Sequence, residues 1–148
     1  MATIIQSDFG KGILTPPRPQ SAGAIHCAEF KYTFATAFAY ATQILELGVL
    51  PAFAKPVDAI LVPEGVLTGL TADIGLMSGT AGSTATDRTS DDSIFNDIAL
   101  DAGLKRAVAI TPYLITPVAY DRSIGFKASG DIAAASTKKI ALLLYYTQ

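Results

Sequence analysis

The segment ILELGVLPAFAKPVDAILVPEG, running from Ile44 to Gly65, decides the fold class. Two short apolar runs meet at a corner bounded by Pro51 and Pro56. Runs of this length, rich in Val, Ile and Leu and stopped by Pro and Gly, read as buried strands rather than helices. Proline removes a ladder donor, so it is tolerated where a strand begins or ends. The segment carries no nucleophile-base pair and no metal-ligand spacing.

Upstream, AIHCAEFKYTFA (residues 24–35) alternates with period two. Ala28, Phe30, Tyr32 and Phe34 point one way, and Glu29, Lys31 and Thr33 the other. That is a strand with one buried face. Downstream, LTADIGLMSG (70–79) places Leu70, Ala72, Ile74 and Leu76 opposite Thr71, Asp73 and Gly75. Strands are expected again in LKRAVAI (104–110), in PVAYDRSIGFKAS (117–129) and in KKIALLLYYTQ (138–148). The last is apolar on both faces, so it sits centrally or is covered by a neighbour. A hairpin through Ser129, Gly130 and Asp131 is expected to join the final two. Seven or so short strands at about ten-residue spacing point to an all-β β-sandwich, jelly-roll-like in topology.

One helix is expected in a crossover loop. TATDRTSDD is polar and aperiodic, and Ser90, Asp91 and Asp92 resemble a helix start. Ile94, Phe95, Ile98, Ala99 and Ala102 follow at helical spacing, and Gly103 supplies a stop. Residues 1–23 differ from the remainder, with three prolines, three glycines and little periodicity. They read as an extended N-terminal arm ahead of a single β-sandwich domain, residues 24–148. Ile4, Ile5, Phe9, Ile13 and Leu14 make the arm too apolar for a free tail. It lies on a partner or along its own domain.

Half of the 148 residues are apolar, 16% are charged, and the net charge is −2. Sparse charge suggests that some surface is covered by partners. No Lys/Arg stripe exists to neutralise phosphates, so no nucleic-acid partner is expected. The longest apolar run, Ile140 to Tyr146, is too short to span a bilayer, and no secretion signal opens the chain. Assembly inside a cell is the expectation. A single cysteine excludes an internal disulfide and reads as a small core residue.

Catalysis is poorly provided for. His26 is the only histidine, and adjacent strand residues face opposite sides, which separates it from Cys27. One Cys and one His fall short of a zinc site. Asp87, Asp91 and Asp92 offer hard oxygens but lack the spacing and bidentate Glu of a calcium loop. Glu29, Glu46, Asp58 and Asp73 lie on different strands and read as solvent-face or edge residues. No enzyme activity and no cofactor are expected. Arg122, beside Asp121, reads either as a carboxylate partner at a subunit boundary or as a strand-entry pair in water.

The run from Glu46 to Val62, with the x-D-x-G-L core ending at Leu76, then DRSIGFKAS and IALLLYY, resembles the small capsid decoration or cement proteins of tailed bacteriophages. The resemblance covers roughly residues 42–79 and 92–147 and leaves the first 23 aside. It implies a jelly-roll-like domain on the outer capsid surface that bridges neighbouring major capsid protein subunits. It also implies self-association as a dimer or trimer. Ile4, Ile5, Phe9, Ile13, Leu14, Arg122 and Tyr145 are then the candidate capsid or subunit contacts. The alternative is a carbohydrate- or receptor-binding β-sandwich on the virion, for which Tyr40, Tyr113 and Tyr120 would replace the absent Trp.

Overall fold

A computed structural model describes residues 1–16, 23–101, 103–109 and 111–148. Nine strands fall among them: β1 (Thr3–Gln6), β2 (His26–Thr33), β3 (Gln43–Leu50), β4 (Lys55–Glu64), β5 (Thr71–Leu76), β6 (Phe95–Ala99), β7 (Lys105–Arg106), β8 (Arg122–Ala128) and β9 (Lys139–Thr147). They build two sheets, ordered β1-β3-β8-β5-β6 and β2-β9-β4-β7. From β2 to β5 the chain changes sheet at every step, and β2 to β9 pair only antiparallel. This is the jelly roll that the strand spacing predicts.

The side-chain period places the core. Ala28 and Phe30 of β2, Leu142 and Leu144 of β9, and Ala59 and Leu61 of β4 face Leu45, Ile74, Ile124 and Phe126 of the other sheet. Burying each large aliphatic or aromatic side chain contributes about 1.5–3 kcal/mol. Aromatic edges tie the layers together: Phe38 meets Phe126 at 5.9 Å between centroids, and Phe9 meets Phe30 at 4.7 Å. The doubly apolar β9 lies between β2 and β4, as its pattern requires.

Residues 90–101 form no helix. Ile98 pairs with Ala72 and Phe95 with Ile74, so Asp73 stands opposite both Asn96 and Asp97. The bulge puts one extra residue between inward-facing side chains, so that two separate them instead of one, and imitates helical spacing in a strand. Asp97, at φ +50°, absorbs the distortion, and its N–H donates to Asp73 Oδ1 at 2.9 Å. Asp91 caps no helix either: its Oδ1 accepts from Leu76 N at 2.7 Å and Ser93 N at 3.0 Å. The single helical element among the described residues is a 3-10 turn, Thr111–Leu114. Ala102 lies outside the described residues.

Two other expectations change. β8 and β9 belong to different sheets, so residues 129–138 cross the sandwich and make no hairpin. Cys27 is exposed, because it sits on the outward side of β2 between Ala28 and the half-buried His26. Within residues 1–16, β1 extends the first sheet by pairing parallel to β3, from Thr3 with Gln43 to Gln6 with Glu46. Pro17 to Ala22 lie outside the described residues.

Gly48 leaves no room for a side chain between the layers: a Cβ there would overlap the Phe30 ring. Gly48→Ala is therefore expected to destabilise the domain by about 1–3 kcal/mol through overpacking. A thermal melt reads this as a fall in Tm of several degrees, and an unchanged Tm would show that the sheets can part at this point.

Candidate functional site

The outer face of the five-stranded sheet carries the chain's buried charge. Glu46 projects outward between inward-facing Leu45 and Leu47, yet it has no solvent exposure. Its neighbours across the sheet are Gly125 on β8 and, one strand further, Gly75 on β5. A Cβ on Gly125 would overlap Ser90, and one on Gly75 would overlap Asp91. Two side-chain-free positions in a row let the segment from Met77 to Ile94 lie directly on the sheet. Met77 N donates to Ser123 O and Ile94 N to Ile74 O, both at 2.9 Å, fixing both ends of the segment.

That segment delivers Arg88 to Glu46. Arg88 Nη2 donates to Glu46 Oε1 at 3.3 Å and to Ser123 Oγ at 2.7 Å. Its Nε donates to Ser78 O at 2.8 Å and its Nη1 to Ser83 O at 2.5 Å. Glu46 accepts further bonds from the Ser123 hydroxyl, from Gly82 N at 2.9 Å and from Gln6 Nε2 at 2.6 Å. Burial pushes the Glu46 carboxyl up, but the donors Ser123, Gly82, Gln6 and Arg88 together outweigh it and hold the group below its ordinary 4.5. One ion pair thus joins β1, β3, β8 and the covering segment. It has no open position for a substrate, and its work is structural.

The expected contact residues are spread over different environments. Ile4 is buried against Ile44 and Met77, while Ile5 and Phe9 pack on the main core. Ile13 is 68% exposed, and Leu14 borders an open cleft of about 520 Å³ with Phe9, Val49, Gly82 and Asp121. Tyr145 is partly exposed on the outward face of β9, opposite Cys27 and Asp58. Arg122 starts β8, and its Nε and Nη2 are enclosed without a hydrogen-bond partner. Burial lowers its guanidinium from the ordinary range, and Tyr120 and Asp91 offset this in part.

The corner between β3 and β4 falls where its prolines place it, but the strain at Phe53 went unread in the sequence. Phe53 holds φ +62° with its ring mostly exposed, a conformation that costs a bulky residue about 1–3 kcal/mol. Backbone bonds enforce it: Phe53 N donates to Val118 O at 2.7 Å, and Ala52 N to Asp121 Oδ1 at 2.9 Å. Exposed Tyr120 and the unsatisfied Arg122 flank Asp121 in the chain. Tyr40 is tied instead to the segment after β8, its N–H donating to Asp131 Oδ1, and Tyr113 lies in the 3-10 turn. The three tyrosines are thus held by different parts of the fold. Among the described residues no three His, Cys, Asp or Glu side chains gather to hold a metal ion.

A jelly roll whose buried ion pair is spent on its own covering loop, and which leaves a dozen large apolar side chains exposed among its described residues, defines a structural interaction domain. Among solved structures, the chain matches a chain in the capsid of Ralstonia phage GP4 with a TM-score of 0.88 and 38% identity, over 98% of this chain and 97% of that one. The chain belongs to this family of phage capsid proteins and is a structural protein of the virion. The capsid asymmetric unit of cyanophage Pam1 shares the fold, at a TM-score of 0.56 and 15% identity over 91% of this chain and 93% of that one. So does the acid-stable capsid of Helicobacter pylori bacteriophage KHP30, at 0.52 and 12% over 86% and 90%. No protein-family model and no curated protein matches the chain.

The Glu46 cluster sets an acid limit. Its folded pKa lies below the unfolded one, so its contribution is complete at neutral pH and is lost as pH falls through the folded value, beneath 4.5. Glu46→Gln is expected to flatten the acid limb of stability in denaturant titrations run from pH 6 down to about pH 3. Arg88→Met, which strands the carboxylate, should cost about 3–5 kcal/mol at neutral pH. A loss near zero would mean that the covering segment holds without the pair.

Proposed function

We propose that the chain is a non-enzymatic decoration subunit that binds the outer capsid surface and bridges neighbouring major capsid protein subunits, joining the shell in the host cytoplasm. The likeness to the GP4 capsid chain along nearly the whole length of both carries this reading. The surface supports it. Phe53 at its pinned corner and Tyr120 each present an exposed aromatic ring that can anchor a neighbouring subunit. Ile13 and Leu14 remain exposed and can extend such a contact, whereas Ile4, Ile5 and Phe9 are engaged within the domain. Modest contacts to several subunits at once would still clamp a shell, because linked binding events reinforce one another.

Shells assembled from the major capsid protein alone provide the test. The purified chain, added afterwards, should co-sediment at a fixed ratio and raise the temperature at which shells come apart. If it closes into shells by itself, or ignores preformed ones, the decoration reading is overturned. Phe53→Ser and Tyr120→Ser should each weaken shell binding about tenfold, the scale of a removed aromatic anchor, while the melting temperature of the free protein holds.

A further inference from the structure

Each sheet ends in two edge strands, and an antiparallel edge leaves every second residue with its N–H and C=O turned away from the ladder. Three of the four edges are blunted. β1 has four residues, and its start is tied down by Ala2 N donating to Thr86 O at 3.1 Å. β6 is broken by its bulge and by Asp97 at φ +50°, and β7 has two residues. β2 is different. It runs for eight residues, pairs with β9 from His26 opposite Tyr146 to Thr33 opposite Lys139 without a register shift, and contains neither Gly nor Pro. Phe34 N donates to Lys138 O at 2.9 Å, so alternation turns the backbone groups of Tyr32, Phe30 and Ala28 toward β9. Those of Cys27, Glu29 and Lys31 then face the open side, and among the described residues no backbone bond outside the β2–β9 ladder engages them. The charges on this edge guard it weakly, because exposed Glu29 and Lys31 pair with each other at 2.8 Å.

A groove of about 330 Å³ runs beside this edge, with Lys31, Tyr32 and Thr33 as its near wall and Gln6, Ser7, Asp8 and Lys11 as its far wall. Phe9, seated against Phe30 at 4.7 Å, holds the far wall in place. We propose that β2 is the docking edge for one extended segment of a foreign chain, laid antiparallel along residues 27–33 as an added strand. The two faces of β2 define the occupant. Beside Ala28, Phe30 and Tyr32 it continues the core side and carries apolar residues. On the outer face, charge complementarity sets a cation beside Glu29 and an anion beside Lys31. The far wall belongs to this chain, so the site suits a bare segment; a second β2 would bring a wall of its own. The donor that the decoration reading supplies is an extended segment of a major capsid protein subunit, and that identity alone rests on the reading above.

The probe is a synthetic peptide, acetyl-Thr-Val-Glu-Val-Lys-Val-Thr-Val-amide, which in antiparallel register sets its Glu beside Lys31 and its Lys beside Glu29. With a dissociation constant on the order of 100 μM, roughly 1 mM peptide should slow amide hydrogen exchange at Cys27, Glu29 and Lys31 about tenfold. N-methylation of the peptide's Glu and Lys removes two donors aimed at β2 and should abolish the slowing. Glu29→Lys and Lys31→Glu should each weaken binding about fivefold, and a peptide with its charges exchanged should bind the double variant as the original binds the wild type. Both side chains are exposed, so the melting temperature should hold. No slowing at the highest peptide concentration overturns the proposal, as does slowing that survives N-methylation. Slowing that grows with protein concentration in the absence of peptide overturns it too, and gives the edge to a second copy. On shells of the major capsid protein the same three amides should slow. A chain that co-sediments with these amides unchanged overturns the docking edge and leaves the decoration reading standing. Peptide binding by a chain that ignores shells removes the decoration reading and keeps the edge.

Discussion

A carboxylate with no access to water has to find its donors inside the protein, and Glu46 finds four of them on three separate pieces of chain. That requirement organises the five-stranded sheet. Gln6 closes the site from β1, Ser123 from β8, and Gly82 and Arg88 from the segment above. The segment from Met77 to Ile94 has little regular structure of its own, so its position depends on these bonds and on its bridges to Ser123 and Ile74. Buried ion pairs add little net stability but penalise every arrangement that leaves one partner alone. Here the pair selects one placement of a long loop over a sheet.

The consequence is an asymmetric sandwich. One outer face is sealed by the protein's own chain through a polar network, and the other keeps an apolar centre at Leu143 and Ile60 with charged rims at Glu29 and Arg106. Rigidity is supplied internally on one side, while the opposite side stays partly exposed and the strained corner holds the Phe53 ring outward. The cost of holding Phe53 at positive φ is met by the hydrogen bonds of its neighbours and not by the ring, which is left outside. Strain of this kind persists where the surrounding structure over-determines it.

Much of the fold was legible in local patterning. β2, β4 and β9 lie where period two or doubly apolar runs place them, and the prolines at 51, 56 and 63 fall at or near strand ends. The segment of Ile94, Phe95 and Ile98 misled because a bulge spaces inward residues as a helix does, and nothing local separates the two. Cys27 misled because the single cysteine was read by residue type, whereas its place in the β2 alternation puts it on the outward side. Glu46 is the deeper case. Its parity was read correctly as the side away from the core, but whether that side meets water depends on a loop some forty residues later. The glycines at 75 and 125 were the available signal, since two bare positions on neighbouring strands mark a place where another backbone approaches.

By itself, then, the sequence determined an all-β sandwich, most of the strands that build it and the inward face of those that alternate. These follow from side-chain period and from the backbone limits of proline and glycine, which act over a few residues. Tertiary structure alone decided that β1 adds to β3, that Arg88 reaches Glu46, that Phe53 is held outward, and that Glu29 shares a row with Arg106. Each of these joins residues far apart in the chain, and their register is set by sheet pairing and by the need to satisfy buried polar groups, neither of which a local pattern contains.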